Sequence, residues 1–194
     1  MKQKKVLVVV AHPDDETIWM GGTLIRNSVF SRKWDLTIIS LCRRNDTDRA
    51  PKFFRVCQIL NAKGFMSDLE DEKLEEIDNN EVIERIKEML EKAGKKYDYV
   101  FTHGENGEYG HIRHKDTNKA VIEMIKKKFI SCRRLFFFAY TKIGGECYID
   151  LSAKKFINLN KQELSKKKEL ITMIYGFGNG SFEETSCKEK EAFK

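Results

Sequence analysis

The four histidines of this 194-residue chain fall in two places: His12 stands alone, and His103, His111 and His114 share one short stretch. His12 opens the run His12-Pro13-Asp14-Asp15-Glu16. Adjacent carboxylates in a cleft of low dielectric raise one another's pKa unless a cation compensates them. A divalent metal is such a cation. In a turn stiffened by Pro13, His12 and Asp15 can both face an ion while Asp14 points beside it. The acids alone would serve equally well as caps at the positive end of a helix, and it is the imidazole beside them that favours a metal. The second cluster, Gly107-Glu108-Tyr109-Gly110-His111-Ile112-Arg113-His114, puts two histidines three apart at an expected helix start. That spacing shares one face, so one or both can reach a single ion. Two histidines and one carboxylate leave coordination positions open, which a reactive metal site requires.

These clusters are far apart in sequence, so the elements between them must bring them together. Within residues 5–11, Val6 to Ala11 form an unbroken apolar run, the mark of a strand covered on both faces of a parallel sheet. Residues 16–30 read as a helix, 36–40 as a strand, 48–60 as a helix and 64–69 as a short strand. Val82, Ile83, Ile86, Met89, Leu90 and Ala93 then recur at helical spacing before Gly94 stops them. Residues 97–102 form the next strand, 103–110 a polar loop, Ala120 to Ile125 a helix and 135–138 a further strand. This alternation predicts an α/β fold: a Rossmann-like, doubly wound, mostly parallel sheet with helices on both faces. Ligands of such sheets collect at the carboxyl ends of the strands. Both histidine clusters lie there. After Gly144 and Gly145 the pattern weakens to a strand at 147–151 and a charged helix at 161–175, and residues 176–194 read as a less regular tail.

The length suits one domain, spanning residues 1–194. Five cysteines, odd in number and without a C-x-x-C pair, suggest neither disulfides nor a cysteine zinc site, and fit a reducing cytoplasm. The lysines at positions 2, 4 and 5 before an apolar run imitate a signal peptide, but the run meets charge at His12 and Asp14. No stretch approaches the roughly 20 apolar residues of a membrane helix. A net charge of +6, with basic runs at 126–128, 133–134 and 166–168, raises nucleic acid as a partner. Each lysine run lies beside an amphipathic helical pattern where solvated lysines belong, no stacking aromatics accompany them, and no specific nucleic-acid partner is expected.

The chain resembles the PIG-L/LmbE-like N-acetylglucosaminyl deacetylases. The resemblance rests on Ala11-His-Pro-Asp-Asp-Glu16, on Gly21-Gly22-Thr23, on Arg49, and on Thr102-His103 with Gly107 to His114, over residues 5 to about 125. It implies a zinc-dependent hydrolase that removes an acetyl group from an N-acetylated amino sugar. His12, Asp15 and His114 would hold the metal and Asp14 would act as general base. Tyr109 and His111 would stabilise the oxyanion or protonate the leaving amine, with the division between them open, while Arg49, Glu16 and His103 would contact substrate. Assembly as a homo-oligomer is implied by analogy only. Three positions depart from the pattern: Lys52 stands where an acidic residue is frequent, Ile112-Arg113 where Pro-Asp is common, and residues 175–178 replace a late His-Ser-Gln-like element. The same donor set also suits iron(II), so a non-haem iron enzyme is one alternative and a non-catalytic sugar-binding protein another.

Overall fold

In a computed structural model that describes residues 2–194, β1 (Lys4–Val10) lies at the centre of a parallel sheet. Its neighbours are β2 (Trp34–Cys42) and β4 (Lys96–Thr102), flanked in turn by β3 (Ala62–Leu69) and β5 (Ser131–Phe137), giving the order β3-β2-β1-β4-β5. The register runs from Val6 opposite Leu36 to Val10 opposite Ser40 on one side, and from Val6 opposite Tyr99 to Val9 opposite Thr102 on the other. Successive side chains of a strand point to opposite faces, so the valine-rich β1 feeds two cores. Val6, Val8 and Val10 pack with Ile18, Trp19 and Phe53; Leu7 and Val9 pack with Ile86, Val121 and Met124. Both faces are covered, which explains the unbroken apolar run.

One cover consists of α1 (Asp15–Leu24), which continues through Ile25–Phe30 as a wider π-helical turn, α2 (Arg49–Ile59), and α6 (Lys161–Glu169), which continues through Leu170–Tyr175 in the same way. The other cover is α3 (Asn79–Ala93) packed on α5 (Ile112–Lys126). Between β4 and α5 lies a single turn, α4 (Gly107–Gly110). The chain order reverses on either side of β1. This switch point opens a crevice beyond the ends of β1 and β4, where residues 11–16 and 103–114 meet.

The last third of the chain is more ordered than its pattern suggests. Gly144 and Gly145 form the turn of an antiparallel hairpin, β6 (Tyr140–Ile143) with β7 (Glu146–Ile149). Residues 176–194, expected as a less regular tail, contain α7 (Phe182–Ser186) and β9 (Lys190–Phe193), and β9 pairs antiparallel with β8 (Lys155–Asn158). Strands of four residues carry too few positions for their alternation to register.

The reason β9 is held is a buried charge. The carboxylate of Glu191 accepts hydrogen bonds from Lys167 Nζ at 2.8 Å, Gly22 N at 2.9 Å and Thr23 N at 2.8 Å. Met20, at φ −147° and ψ 16°, breaks the helical backbone of α1 just before these amides. Glu191 therefore satisfies donors that the kink releases, as a capping side chain does. A Cβ at Gly22 would sit 2.3 Å from a methyl of Leu159, so any larger residue there would displace that side chain.

Candidate metal centre and cleft

The turn after β1 holds Asp14 at φ 116°, a left-handed backbone that costs a non-glycine residue roughly 1–3 kcal/mol. The strain is held by local bonds: Asp15 Oδ2 accepts from His12 N at 2.8 Å, and Thr17 N and Ile18 N donate to the Asp14 carbonyl at 2.8 and 2.9 Å. Asp15 opens α1 pointing inward, where Trp19 Nε1 donates to its Oδ1 at 2.9 Å. Asp14 is turned the other way, toward the cleft, and its Oδ2 accepts from Arg49 Nη1 at 2.9 Å.

The loop after β4 supplies the facing histidines. His111 caps α5, its Nδ1 accepting from Arg113 N at 3.2 Å. His114, one turn into α5, is wholly buried and stacks on His103 with ring centroids 3.8 Å apart. His114 Nδ1 lies 2.5 Å from Glu108 Oε2, an acceptor, so Nδ1 carries the proton and the lone pair of Nε2 is free. That lone pair faces His12 Nδ1 at 3.3 Å and Asp15 Oδ1 at 3.3 Å, while His12 Nδ1 and Asp15 Oδ2 are 3.2 Å apart. Donors at ~2.0–2.1 Å from a tetrahedral zinc ion would be separated by roughly 3.3–3.4 Å. The two imidazole nitrogens lie 3.3 Å apart and each faces one oxygen of the Asp15 carboxylate, a spacing that fits a single small divalent cation held by two histidines and one carboxylate. Overlapping groups could also share an ion: His12, His111 and His114; Asp15, His103 and His114; and His12, Cys42 and Asp71.

The charges of the cluster are strongly coupled to one another. Burial opposes ionisation of His12, but hydrogen bonds to Asp15 and Asp71 outweigh it and raise its pKa well above the ordinary histidine value. Burial also works against the Asp15 carboxylate, yet His114 and His103 hold its pKa well below normal. For Glu108, burial is likewise overcome by His103 and His114, and the value falls to about 2. Asp14 behaves differently: burial, reinforced by neighbouring Asp15, raises it well above the carboxylate range. His111 is lowered to about 4 by burial and by the neighbouring His12 and His114, which makes it a neutral imidazole.

A cleft of about 330 Å³ lies over this cluster, with Asp14, Asp15, His12, Arg49, Tyr109 and His111 in its lining. Ile18, Trp19 and Phe182 give it apolar walls, and Arg43, Asp46, Asp71 and Glu183 a polar rim. Two residues expected to touch substrate do not reach it. Glu16 is fully buried behind the turn, its carboxylate accepting from Thr17 Oγ1 at 2.6 Å, Tyr175 OH at 2.8 Å and Asp14 N at 3.2 Å, with burial pushing its pKa up to about 7. His103 is also fully buried; its Nε2 accepts from Ala11 N at 2.9 Å and its Nδ1 faces Glu108 Oε2 at 2.8 Å. His103 ties the two loops together, and Glu16 braces the first of them against Tyr175. Arg49 does line the cleft, stacked 4.5 Å over Phe177 from residues 175–178.

Sequence reasoning gave no role to Glu108, Asp71 or Arg43. Glu108 sits inside the histidine motif at φ 57°, but a lone carboxylate in a polar loop carries no signal of the two imidazoles it will join. The departure at Arg113 acquires a purpose. Its buried guanidinium donates to the carbonyls of Glu70 at 2.5 Å and Glu75 at 2.6 Å, and to Asp116 Oδ2 at 2.8 Å, tying the loop after β3 to α5.

Among solved structures the chain is similar to the conserved protein TT1542 of Thermus thermophilus, with a TM-score of 0.73 and 16% identity over 98% of this chain and 94% of that one. It is also similar to the N,N'-diacetylchitobiose deacetylase of Pyrococcus horikoshii, with a TM-score of 0.69 and 16% identity over 98% and 83% of the two chains. At that identity the likeness concerns the fold. An uncharacterized protein of Acanthamoeba polyphaga mimivirus is 30% identical over 130 residues, 61% of this chain and 56% of that protein, so the chain spans little more than half the length of this relative. The family model described as PIG-L, GlcNAc-PI de-N-acetylase, matches residues 7–125, over half of the chain and the part that carries both histidine clusters, and the chain belongs to the PIG-L family.

Proposed function

We propose that this chain is a zinc-dependent hydrolase that removes the N-acetyl group from an N-acetylglucosamine-type sugar. His12, Asp15 and His114 would hold the metal, and Asp14 would act as general base. One observation carries the reading: donors from two loops far apart in sequence converge to within 3.2–3.3 Å of one another beside a separate carboxylate at the cleft. Family membership and the deacetylase among the structural neighbours support the reaction type.

A bound divalent ion supplies Lewis acidity, polarising an amide carbonyl and acidifying water. The protein's own groups do the rest. Asp14 has one oxygen engaged by Arg49, and its other oxygen takes the proton of the attacking water and passes it to the departing amine as the C–N bond breaks. His111 is neutral and its Nδ1 already accepts a backbone N–H, so Nε2 carries the proton and donates to the developing oxyanion. Tyr109, whose hydroxyl is held neutral by burial, stands on the same wall as a second donor. Half-buried Phe182 suits the C–H face of a sugar ring, and about 330 Å³ admits one such ring, with any aglycone at the rim. The free thiols, Cys42, Cys57, Cys132, Cys147 and Cys187, suit a reducing cytoplasm, and no helix among the described residues is long and apolar enough to cross a membrane.

The test is release of amine and acetate from a panel of N-acetylglucosamine conjugates by chelator-treated protein, before and after addition of zinc or iron(II). Equimolar amine and acetate with restored metal is the expected result. Metal-loaded protein that releases neither across the panel overturns the reading, and oxygen uptake with iron(II) in its place would favour the two-histidine, one-carboxylate iron chemistry.

A further inference from the structure

The loop after β3 places Asp71 directly behind His12. His12 Nε2 lies 2.9 Å from Asp71 Oδ1, and because a carboxylate only accepts, Nε2 carries the proton. The other carboxylate oxygen, Oδ2, accepts from Arg43 Nε at 3.1 Å and Nη2 at 2.9 Å. Both oxygens are therefore committed to protein groups, although the residue lies on the cleft rim. Arg113 holds the backbone of this loop through the carbonyls of Glu70 and Glu75, so Asp71 is presented from a fixed position. The arrangement repeats, from a different loop, the one at His114, where Glu108 fixes Nδ1–H and frees Nε2.

Resting on the function proposed above, we infer that Asp71, clamped by Arg43, is a positioning residue that fixes His12 as the Nε2–H tautomer and turns its Nδ1 lone pair toward Asp15 and His114. Carboxylates that accept the second N–H of a metal-bound histidine orient the ring and increase its basicity, and their loss typically weakens metal binding ~10–100-fold. The pairing with Arg43 also argues against a second cation at Cys42 and Asp71, since a guanidinium already occupies the carboxylate there.

Zinc affinity, measured by competition with a chromogenic chelator, tests this without reference to turnover. Asp71→Leu should weaken binding ~10–100-fold. Asp71→Asn, whose amide oxygen still accepts the N–H, should recover part of the loss, and Arg43→Met should show the smallest effect. In zinc-loaded protein labelled with ¹⁵N-histidine, the wild type should show a protected Nε2–H resonance that is absent from both His12→Ala and Asp71→Leu. Should Asp71→Leu fold poorly, the affinity of Asp71→Asn and the resonance in wild type against His12→Ala still decide. Wild-type affinity in Asp71→Leu overturns the inference alone. So does binding of two zinc ions, one lost in both Asp71→Leu and Cys42→Ser. A wild type that binds no divalent ion overturns this inference and the proposed function together; zinc binding with the expected ranking but no amine release leaves the positioning role standing and removes only the deacetylase.

Discussion

Two buried clusters of charge lie on either side of α1, and they are built to opposite ends. At the kink of α1, Glu191 and Lys167 are both fully buried, and the carboxylate receives one ammonium and two backbone amides. The carboxylate there is matched from within the protein on both oxygens. At the start of α1, His12, Asp14, Asp15 and His114 are also largely buried, but their surplus lone pairs converge beside a cleft, and Asp14 is held in a strained backbone next to them. A buried ion pair satisfied on all sides by the protein fastens elements together. One that leaves matched donor atoms facing a cavity is equipped to bind something.

Substitutions should separate the two kinds of cluster. The largest effect is expected from Asp15→Ala or His114→Ala, which should abolish zinc binding and amine release together, as read by metal analysis and turnover on one preparation. Asp14→Asn comes next: zinc should be retained with turnover down ~10²–10⁴-fold, the usual contribution of a positioned general base, and an equal loss of zinc would move Asp14 into the ligand set. Lys167→Met should do the reverse. It leaves Glu191 charged and unpaired at a cost of about 3–5 kcal/mol, lowering the melting temperature on the order of 10 °C for a chain of this size, while zinc stoichiometry in the folded fraction stays unchanged. Phe177→Leu should give the smallest effect. Removing a cation–π contact worth about 0.5–1 kcal/mol should raise KM a few-fold through a looser Arg49 and leave kcat nearly intact.

The sheet, its helices and part of the cleft's lining were legible in the sequence. A strand covered on both faces reads as an unbroken apolar run, as in β1, and a helix covered on one face reads as a period, as in α3; each pattern is local, so neighbours in sequence suffice to reveal it. The motif 12–16 and the histidines at 111 and 114 were legible for the same reason.

What lies across space was not. Glu16 and His103 belong to the motif stretches and were expected at the substrate, yet the fold turns Glu16 back to Tyr175 and His103 in to Ala11 and Glu108. Asp71, Arg43 and Glu191 carry no pattern of their own, because a carboxylate or guanidinium acquires its role from a partner tens of residues away. Local pattern was enough to specify the sheet and the kinds of group available for chemistry. Which of those groups share a cavity was set by packing, because burial and hydrogen-bond direction depend on distances that close when the elements come together.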